Sequence, residues 1–300
     1  MSSRRRSAVL SRDEAFKRFR RNLELTGLQE KTVATRQQSV REAVAAQLTV
    51  IDDFLTGSYR RRTLIGPLKE ADVDIVVVLH RSYREQGARA VLDLLLKALL
   101  VEFQRTPKIS RNGQAVTISF SDFVVDVVPA FKLPWWSWNE GWEICDSGSD
   151  GWTTTNPKKH IELSSTGNRT HNGELVPRIK QLKAWNRNFG EPLRSFHLEA
   201  IAWSIFGTSF WWHESVRTDW ASARMFFEKA PEKVRYKVLD PAGLGGDVGA
   251  YLTGTALKTV IRKMESASDS CMKAEKAAKD GDLAAMHEAY GRVFGDDYPA

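Results

Sequence analysis

Two short stretches decide how this chain reads: Gly57-Ser58-Tyr59-Arg60-Arg61-Arg62-Thr63, and then Asp72-Val73-Asp74-Ile75-Val76-Val77-Val78-Leu79. The second is the β-branched run of a buried strand. On a strand, residues two apart point to one face, so Asp72 and Asp74 present their carboxylates together. Two anions that close, at the mouth of an apolar strand, repel one another and persist when a divalent cation sits between them. A third carboxylate, Asp126, interrupts the apolar run Phe123-Val124-Val125-Asp126-Val127-Val128. A buried charge without a partner costs several kcal/mol, so it needs one. If its strand lies beside the first, Asp72, Asp74 and Asp126 converge on a two-metal site.

Such a site has a definite chemistry. One cation lowers the pKa of an attacking hydroxyl, and a second clamps the triphosphate of a leaving nucleotide. Gly57 allows close backbone approach to phosphate, and Ser58 adds a hydroxyl and amide donors. Phosphoryl transfer rests on positioning and charge neutralisation, so these groups suffice without a side-chain nucleophile. Each piece has a plainer reading. Asp-x-Asp is often a solvated strand end, Gly-Ser is often a turn, and Asp126 can pair with a core arginine. Their order along the chain, with a strand at each carboxylate, favours the metal site.

Outward from these stretches, Phe16, Phe19 and Leu23 predict a helix over 13–25, with Lys17, Arg18, Arg20 and Arg21 on its other face. Val33, Val40, Val44 and Leu48 predict a second helix, and Leu92 to Phe103 a third. Residues 115–120 and 123–128 read as strands joined by a tight turn at Ser121-Asp122. Residues 134–173 show no trustworthy period and read as a long loop rich in Trp, Gly, Ser, Thr and Asn. Trp135, Trp136, Trp138, Trp142 and Trp152 crowd it; they can stack on bases but more often cover a core. Beyond it, Leu175, Ile179, Leu182 and Trp185 step at helical spacing, followed by helices over 196–206, 215–229, 255–278 and 282–293. The tail Asp296–Ala300 is expected to be mobile. The expected fold class is α+β: a mixed α/β lobe with a small mixed sheet over 1–130, a connecting segment over 131–173, and an all-helical lobe over 174–300. The cleft between lobes is the expected ligand site.

Composition bounds the rest. The 300 residues, 42% hydrophobic and 27% charged, suit a globular protein rather than a disordered one. Cys145 and Cys271 lie far apart, which excludes a disulfide scaffold and a clustered zinc site. The most apolar stretch, Val91 to Phe103, is broken by Asp93, Lys97 and Glu102 and is shorter than the ~20 residues a bilayer requires. No apolar run follows Arg4, Arg5 and Arg6, so no secretory signal is read and a cytoplasmic protein is expected. A net charge of +7 suits a polyanionic partner without naming it. Gly243-x-Gly245-x-x-x-Gly249 is off the dinucleotide fingerprint and has no βαβ unit around it.

Gly57-Ser58, Asp72-x-Asp74 and the distal Asp126 resemble the polymerase-β-type nucleotidyltransferase signature. The fuller string from Phe54 to Thr63, with Asp72-Val73-Asp74-Ile75-Val76-Val77, is similar to the bacterial cGAS/DncV-like nucleotidyltransferases, the CD-NTases of CBASS anti-phage systems. Ile179-Lys180-Gln181-Leu182-Lys183-Ala184-Trp185 and Ser195-Phe196-His197-Leu198-Glu199 are similar to that family's helical-lobe pattern. The resemblance implies a cyclic oligonucleotide synthase. It would join ribonucleoside triphosphates, a purine among them, into a cyclic di- or trinucleotide second messenger with release of pyrophosphate. Asp72, Asp74 and Asp126 would hold two Mg²⁺, with Mn²⁺ able to substitute. Gly57, Ser58, Lys183 and Ser195 would hold the donor triphosphate, and Phe196 would stack on a base. Ser195 is also expected to N-cap its helix. Asp247 stands where relatives carry Asn after an Asp-Pro segment, so no base preference transfers. The implied partners are a separate effector that reads the product and CBASS regulatory proteins. Direct DNA sensing through a zinc module is not expected. An alternative keeps the chemistry but adds nucleotides to an RNA end or a protein hydroxyl, with Arg4–Arg6, Lys17, Arg18, Arg20 and Arg21 tracking a phosphate backbone.

Overall fold

The computed structural model describes residues 9–299 apart from 107, 138–139, 147 and 208–217. Arg4–Arg6, Trp138 and the first turn expected at 215–217 therefore lie outside the described residues. In chain order the elements are α1 (Arg12–Asn22), α2 (Gly27–Gln47), β1 (Val50–Thr56), the single turn α3 (Gly57–Arg60), β2 (Asp72–Leu79), α4 (Ala88–Glu102), β3 (Lys108–Asn112), β4 (Ala115–Ser119) and β5 (Val124–Lys132). They continue with β6 (Trp142–Cys145), β7 (Trp152–Thr155), α5 (Pro157–Thr170), α6 (Leu175–Asn188), α7 (Ser195–Phe206), α8 (Asp219–Arg235), α9 (Gly254–Lys279) and α10 (Leu283–Phe294).

The chain divides into two compact units: Leu25–Thr166 with Leu239–Asp247, and the remainder, which is the chain up to Glu24, Gly167–Val238 and everything from Val248. These bounds differ from divisions drawn at 130 and 173. The first helix goes with the later helices, and the Gly-rich stretch after Leu239 goes with the sheet.

In the sheet unit the strand order is β1-β2-β5-β4-β3, with β6 pairing β5 and β7. β2 and β5 run parallel, and the remaining pairs are antiparallel. One face is covered by α2 and α4. Val33, Val40, Val44, Val91, Leu95 and Leu99 pack there on Val73, Ile75, Val77, Val125 and Val127. α2 starts at a capping box, Thr26 with Gln29, which satisfies two otherwise orphaned amides. The other face is a smaller apolar floor of Val76, Val78, Ala130, Trp142 and Ile144. The turn at Ser121-Asp122 is present, closed by the Phe120 amide on the Phe123 carbonyl at 3.0 Å.

The expectation of a loop over 134–173 is corrected: β6, β7 and α5 lie inside it. Four-residue strands are too short to show alternation, and α5 is built from Ser, Thr, Asn and Gly that favour helices weakly. Of its tryptophans, Trp142 is buried on the floor and Trp152 packs edge-on against Phe131, while Trp135 and Trp136 are exposed. β1 and β3 were not foreseen either. β1 is an edge strand, and its Asp52 and Asp53 mask an apolar pattern. Asp53 is answered by an ion pair from Arg41, and Asp52 by Lys158 at 3.2 Å.

The helical unit buries Phe16 and Phe19 among Tyr290, Phe294 and Tyr298, and buries Trp185 against Phe227. The tail is not mobile as far as Tyr298: that ring is buried, and its hydroxyl lies 3.1 Å from His287 Nδ1. Arg187 adds an ion pair to Asp297 at 2.5 Å. Arg20 is no free member of a basic track, because its guanidinium is committed to Glu174 and Asp219, the latter through Nε at 2.7 Å.

Candidate active site

The register of the sheet places the carboxylates. Thr56 of β1 is opposite Asp74 of β2, Asp74 is opposite Asp126 of β5, and Asp126 is opposite Thr117 of β4. These four residues form one cross-strand row on the face away from α2 and α4. Asp72 lies two residues before Asp74 on the same face. Oxygens of Asp72, Asp74 and Asp126 all lie within 4.8 Å of one another, with Asp72 exposed and the other two half-buried. The three form the one such ligand cluster among the described residues.

Backbone pairing of β2 and β5 brings these three carboxylates into that space. Burial pushes the Asp126 carboxyl above its ordinary range; the Thr117 hydroxyl, donating to Asp126 Oδ1 at 2.5 Å, works against that rise, and the charge of Asp72 adds to it. The donor set is hard oxygen, the type that suits Mg²⁺ or Mn²⁺, so the residues fit a divalent cation.

Gly57 stands where only glycine fits. Its φ is +65°, and a Cβ built on it would lie 1.6 Å from Asp74 Oδ2. The α3 turn that follows is locked at Ser58, whose carbonyl accepts from the Thr63 amide at 2.9 Å and the Leu64 amide at 3.2 Å. Ser58 itself is buried. Asp72, Asp74, Asp126, Gly57 and Ser58 are thus brought together in the sheet unit.

The remaining expected residues have separate surroundings. In the helical unit Lys183 is buried and forms an ion pair with the fully buried Glu199 at 2.8 Å. Ser195 is not the N-cap of α7. Arg194 holds that position, Ser195 is the first helical residue, and its side chain is exposed. The chain leaves extended geometry one residue earlier than the Gly190/Pro192 break suggests. Phe196 is half-buried, edge-on to Trp203 at 6.0 Å. In the sheet unit Asp247 is half-buried and bridges Leu239. That bridge closes a loop organised by Asp240, whose carboxylate takes His160 Nε2 at 2.5 Å and the amides of Ala242 and Gly245 at 3.0 and 2.7 Å.

Sequence reasoning missed Thr117, Glu199 and the His160–Asp240 pair. A signal existed for Thr117: with Val116 and Ile118 turned to the core, the residue between them faces the carboxylates. Glu199 and His160 gave none, because a helical residue's partner on another helix is set by packing.

A mixed sheet carrying three converging carboxylates beside a glycine-opened turn defines a nucleotidyltransferase. Residues 10–168 match the family model of the Second Messenger Oligonucleotide or Dinucleotide Synthetase domain, SMODS, and the chain belongs to that family. It is a CD-NTase of the cGAS/DncV-like type and, as an enzyme, a cyclic oligonucleotide synthase. It is 25% identical over 273 residues to a probable cyclic nucleotide synthase of Bacillus cereus (strain VD146), covering 81% of each chain. It is 25% identical over 270 residues to a cyclic AMP-AMP-AMP synthase of an Acinetobacter species, covering 83% of this chain and 73% of the relative. Among solved structures, E. coli MS115-1 CdnC with ATP superposes with a TM-score of 0.75 at 17% identity, covering 95% of this chain and 98% of that one. Vibrio cholerae DncV with 3'-deoxy GTP gives 0.71 at 14% identity, covering 95% and 96%. These two likenesses are of fold. Among the described residues, no helix is long and apolar enough to cross a membrane.

Proposed function

We propose that this synthase joins ribonucleoside triphosphates, ATP among them, into a cyclic di- or trinucleotide in the cytoplasm. A separate effector of an anti-phage system would read the product. The observation that carries the reading is the convergence of Asp72, Asp74 and Asp126 beside Gly57. These carboxylates are assigned two Mg²⁺ ions, replaceable by Mn²⁺. When bound, such ions supply charge neutralisation at the triphosphate and acidify the attacking hydroxyl.

The chain's own groups do the rest. Asp126, whose carboxyl burial makes more basic than usual, takes the proton of the attacking ribose hydroxyl. That oxygen bonds to the α-phosphorus of the donor, the α–β bridging bond breaks, and pyrophosphate carries away the electron pair. Gly57 and Ser58 are assigned to the donor phosphates. Lys183 and Ser195 are assigned to the same triphosphate, Phe196 to a base and Asp247 to the region beside it, on the family resemblance. Ser195 is exposed and its hydroxyl carries no cap, which leaves it available to an anion. Asp247 in place of Asn supports a base choice of this chain's own.

The test is incubation of purified protein with the four labelled ribonucleoside triphosphates and Mg²⁺ or Mn²⁺. Products are treated with phosphatase and identified by mass. A phosphatase-resistant cyclic species, absent from the Asp72→Ala/Asp74→Ala variant, is expected and names the bases. Label transferred only to added RNA or protein would replace cyclisation with the transferase alternative.

A further inference from the structure

We propose that Thr117 is a positioning residue for the third carboxylate, fixing which oxygen of Asp126 serves the cation and the attacking hydroxyl. The proposal rests on the cation reading of the carboxylate row and extends it to a residue outside the acidic motif.

Thr117 is directly opposite Asp126 in the antiparallel β4–β5 ladder, so their side chains leave the sheet side by side. Its hydroxyl donates to Asp126 Oδ1 at 2.5 Å, the short distance of a charge-assisted bond. That bond occupies one oxygen and leaves Oδ2 without a hydrogen bond among the described residues. A carboxylate on a strand otherwise turns about its last torsion at little cost, since that torsion is broad and twofold. Anchoring Oδ1 removes this freedom.

β4 contributes no other polar side chain that pairs with Asp126. In the same ladder Val116 and Ile118 pair with Val127 and Val125 and are buried in the core opposite. The hydroxyl of Thr117 is therefore the one side-chain donor to Asp126 among the described residues. Partners in that outer position commonly change metal affinity or activity by about 10- to 100-fold when removed.

The test compares wild type with Thr117→Val, Thr117→Ser and Asp126→Asn, with Thr117→Ala as a second hydroxyl-free variant should valine overpack the ladder. Mn²⁺ binding is titrated by electron paramagnetic resonance without nucleotide, and product formation is measured at saturating Mn²⁺. Thr117→Val is expected to weaken Mn²⁺ binding about 10-fold. It should lower kcat with little change in KM for ATP, while Thr117→Ser stays within about 2-fold of wild type on both readouts. Wild-type Mn²⁺ binding in Thr117→Val and Thr117→Ala overturns the proposal, as does a serine variant as impaired as the valine one. If Asp126→Asn binds Mn²⁺ as wild type does, Asp126 is no ligand and the cation reading of this carboxylate fails, taking the role of Thr117 with it; weakened binding in Asp126→Asn with wild-type binding in both hydroxyl-free variants overturns the role of Thr117 alone.

Discussion

The carboxylate row of the sheet unit and the Lys183–Glu199 pair of the helical unit both take charge out of water, in opposite ways. In the row, strand register forces Asp74 and Asp126 side by side and brings Asp72 within reach, so like charges stand together. In the helices, a cation and an anion meet at 2.8 Å, both buried, and neutralise one another. The first arrangement stores unfavourable electrostatics that a divalent cation relieves. The second is already closed, so its first consequence is for stability. The acidic motif and the helical lysine therefore fail differently when broken.

The largest effect is expected from Gly57→Ala. The added methyl would sit 1.6 Å from Asp74 Oδ2, and φ at +65° disfavours any side chain. Asp74 must move by more than an ångström for the variant to fold. Misplacement of that size costs at least about 100-fold in product formation. Steady-state synthesis assays beside a thermal melt decide it. A folded variant with near-normal activity would mean that Asp74 does not work from its observed position.

Next in size is the helical pair. Lys183→Met removes the ion pair of the fully buried Glu199 and should cost about 3 kcal/mol in a denaturant titration. Adding Glu199→Gln should return part of that loss by removing the buried charge left facing methionine. If the single variant melts as wild type but loses affinity for ATP, Lys183 serves the triphosphate alone. In that case the contrast with the carboxylate row disappears.

A third carboxylate sharpens the comparison from within the sheet unit. Asp240 is more deeply buried than Asp126 and has the opposite balance. Burial raises its carboxyl, while the bond from His160 and the amides of Ala242 and Gly245 more than offset this and hold it at about 2. Its ordinary value is 3.8, so its contribution is complete above that pH and is lost as pH falls through about 2. The contribution is worth about 2 kcal/mol. Acid unfolding followed by circular dichroism should show that portion missing from Asp240→Asn, with curves that converge near pH 2. Parallel curves would mean that His160 and the loop amides do not discriminate the charged form.

The same contrast explains what could be read without coordinates. Asp72 and Asp74 were legible because strand alternation is a fixed period of two, and Asp126 because a carboxylate in an apolar strand demands an explanation. Leu175, Ile179, Leu182 and Trp185 were legible as a buried stripe for the same periodic reason, and all four are buried. The partner of Lys183 was not legible, since helix-to-helix contacts depend on crossing geometry that no local period encodes. β6, β7 and α5 were hidden by shortness and weak propensity, and β1 by two acidic residues answered from other elements. Ser195 was displaced from the cap by a single residue. Boundaries of that kind are set by backbone geometry that Arg194 satisfies without a capping side chain.

The smallest effect separates two positions in the same turn. Gly57 and Arg62 both have positive φ, +65° and +62°, but only at Gly57 is a side chain sterically excluded. Left-handed geometry costs an L-residue about 1 kcal/mol, of which a glycine's extra freedom in the unfolded chain takes back about half. Arg62→Gly should therefore stabilise the fold by roughly 0.5 kcal/mol, read as a small rise in the unfolding midpoint. The Arg62 side chain is exposed and forms no ion pair among the described residues, so little contact energy is lost with it. If the midpoint rises while KM for ATP also rises, the arginine is retained for its charge beside Gly57-Ser58 at the expense of stability. A lowered midpoint would mean that Arg62 makes a packing contribution larger than its backbone strain.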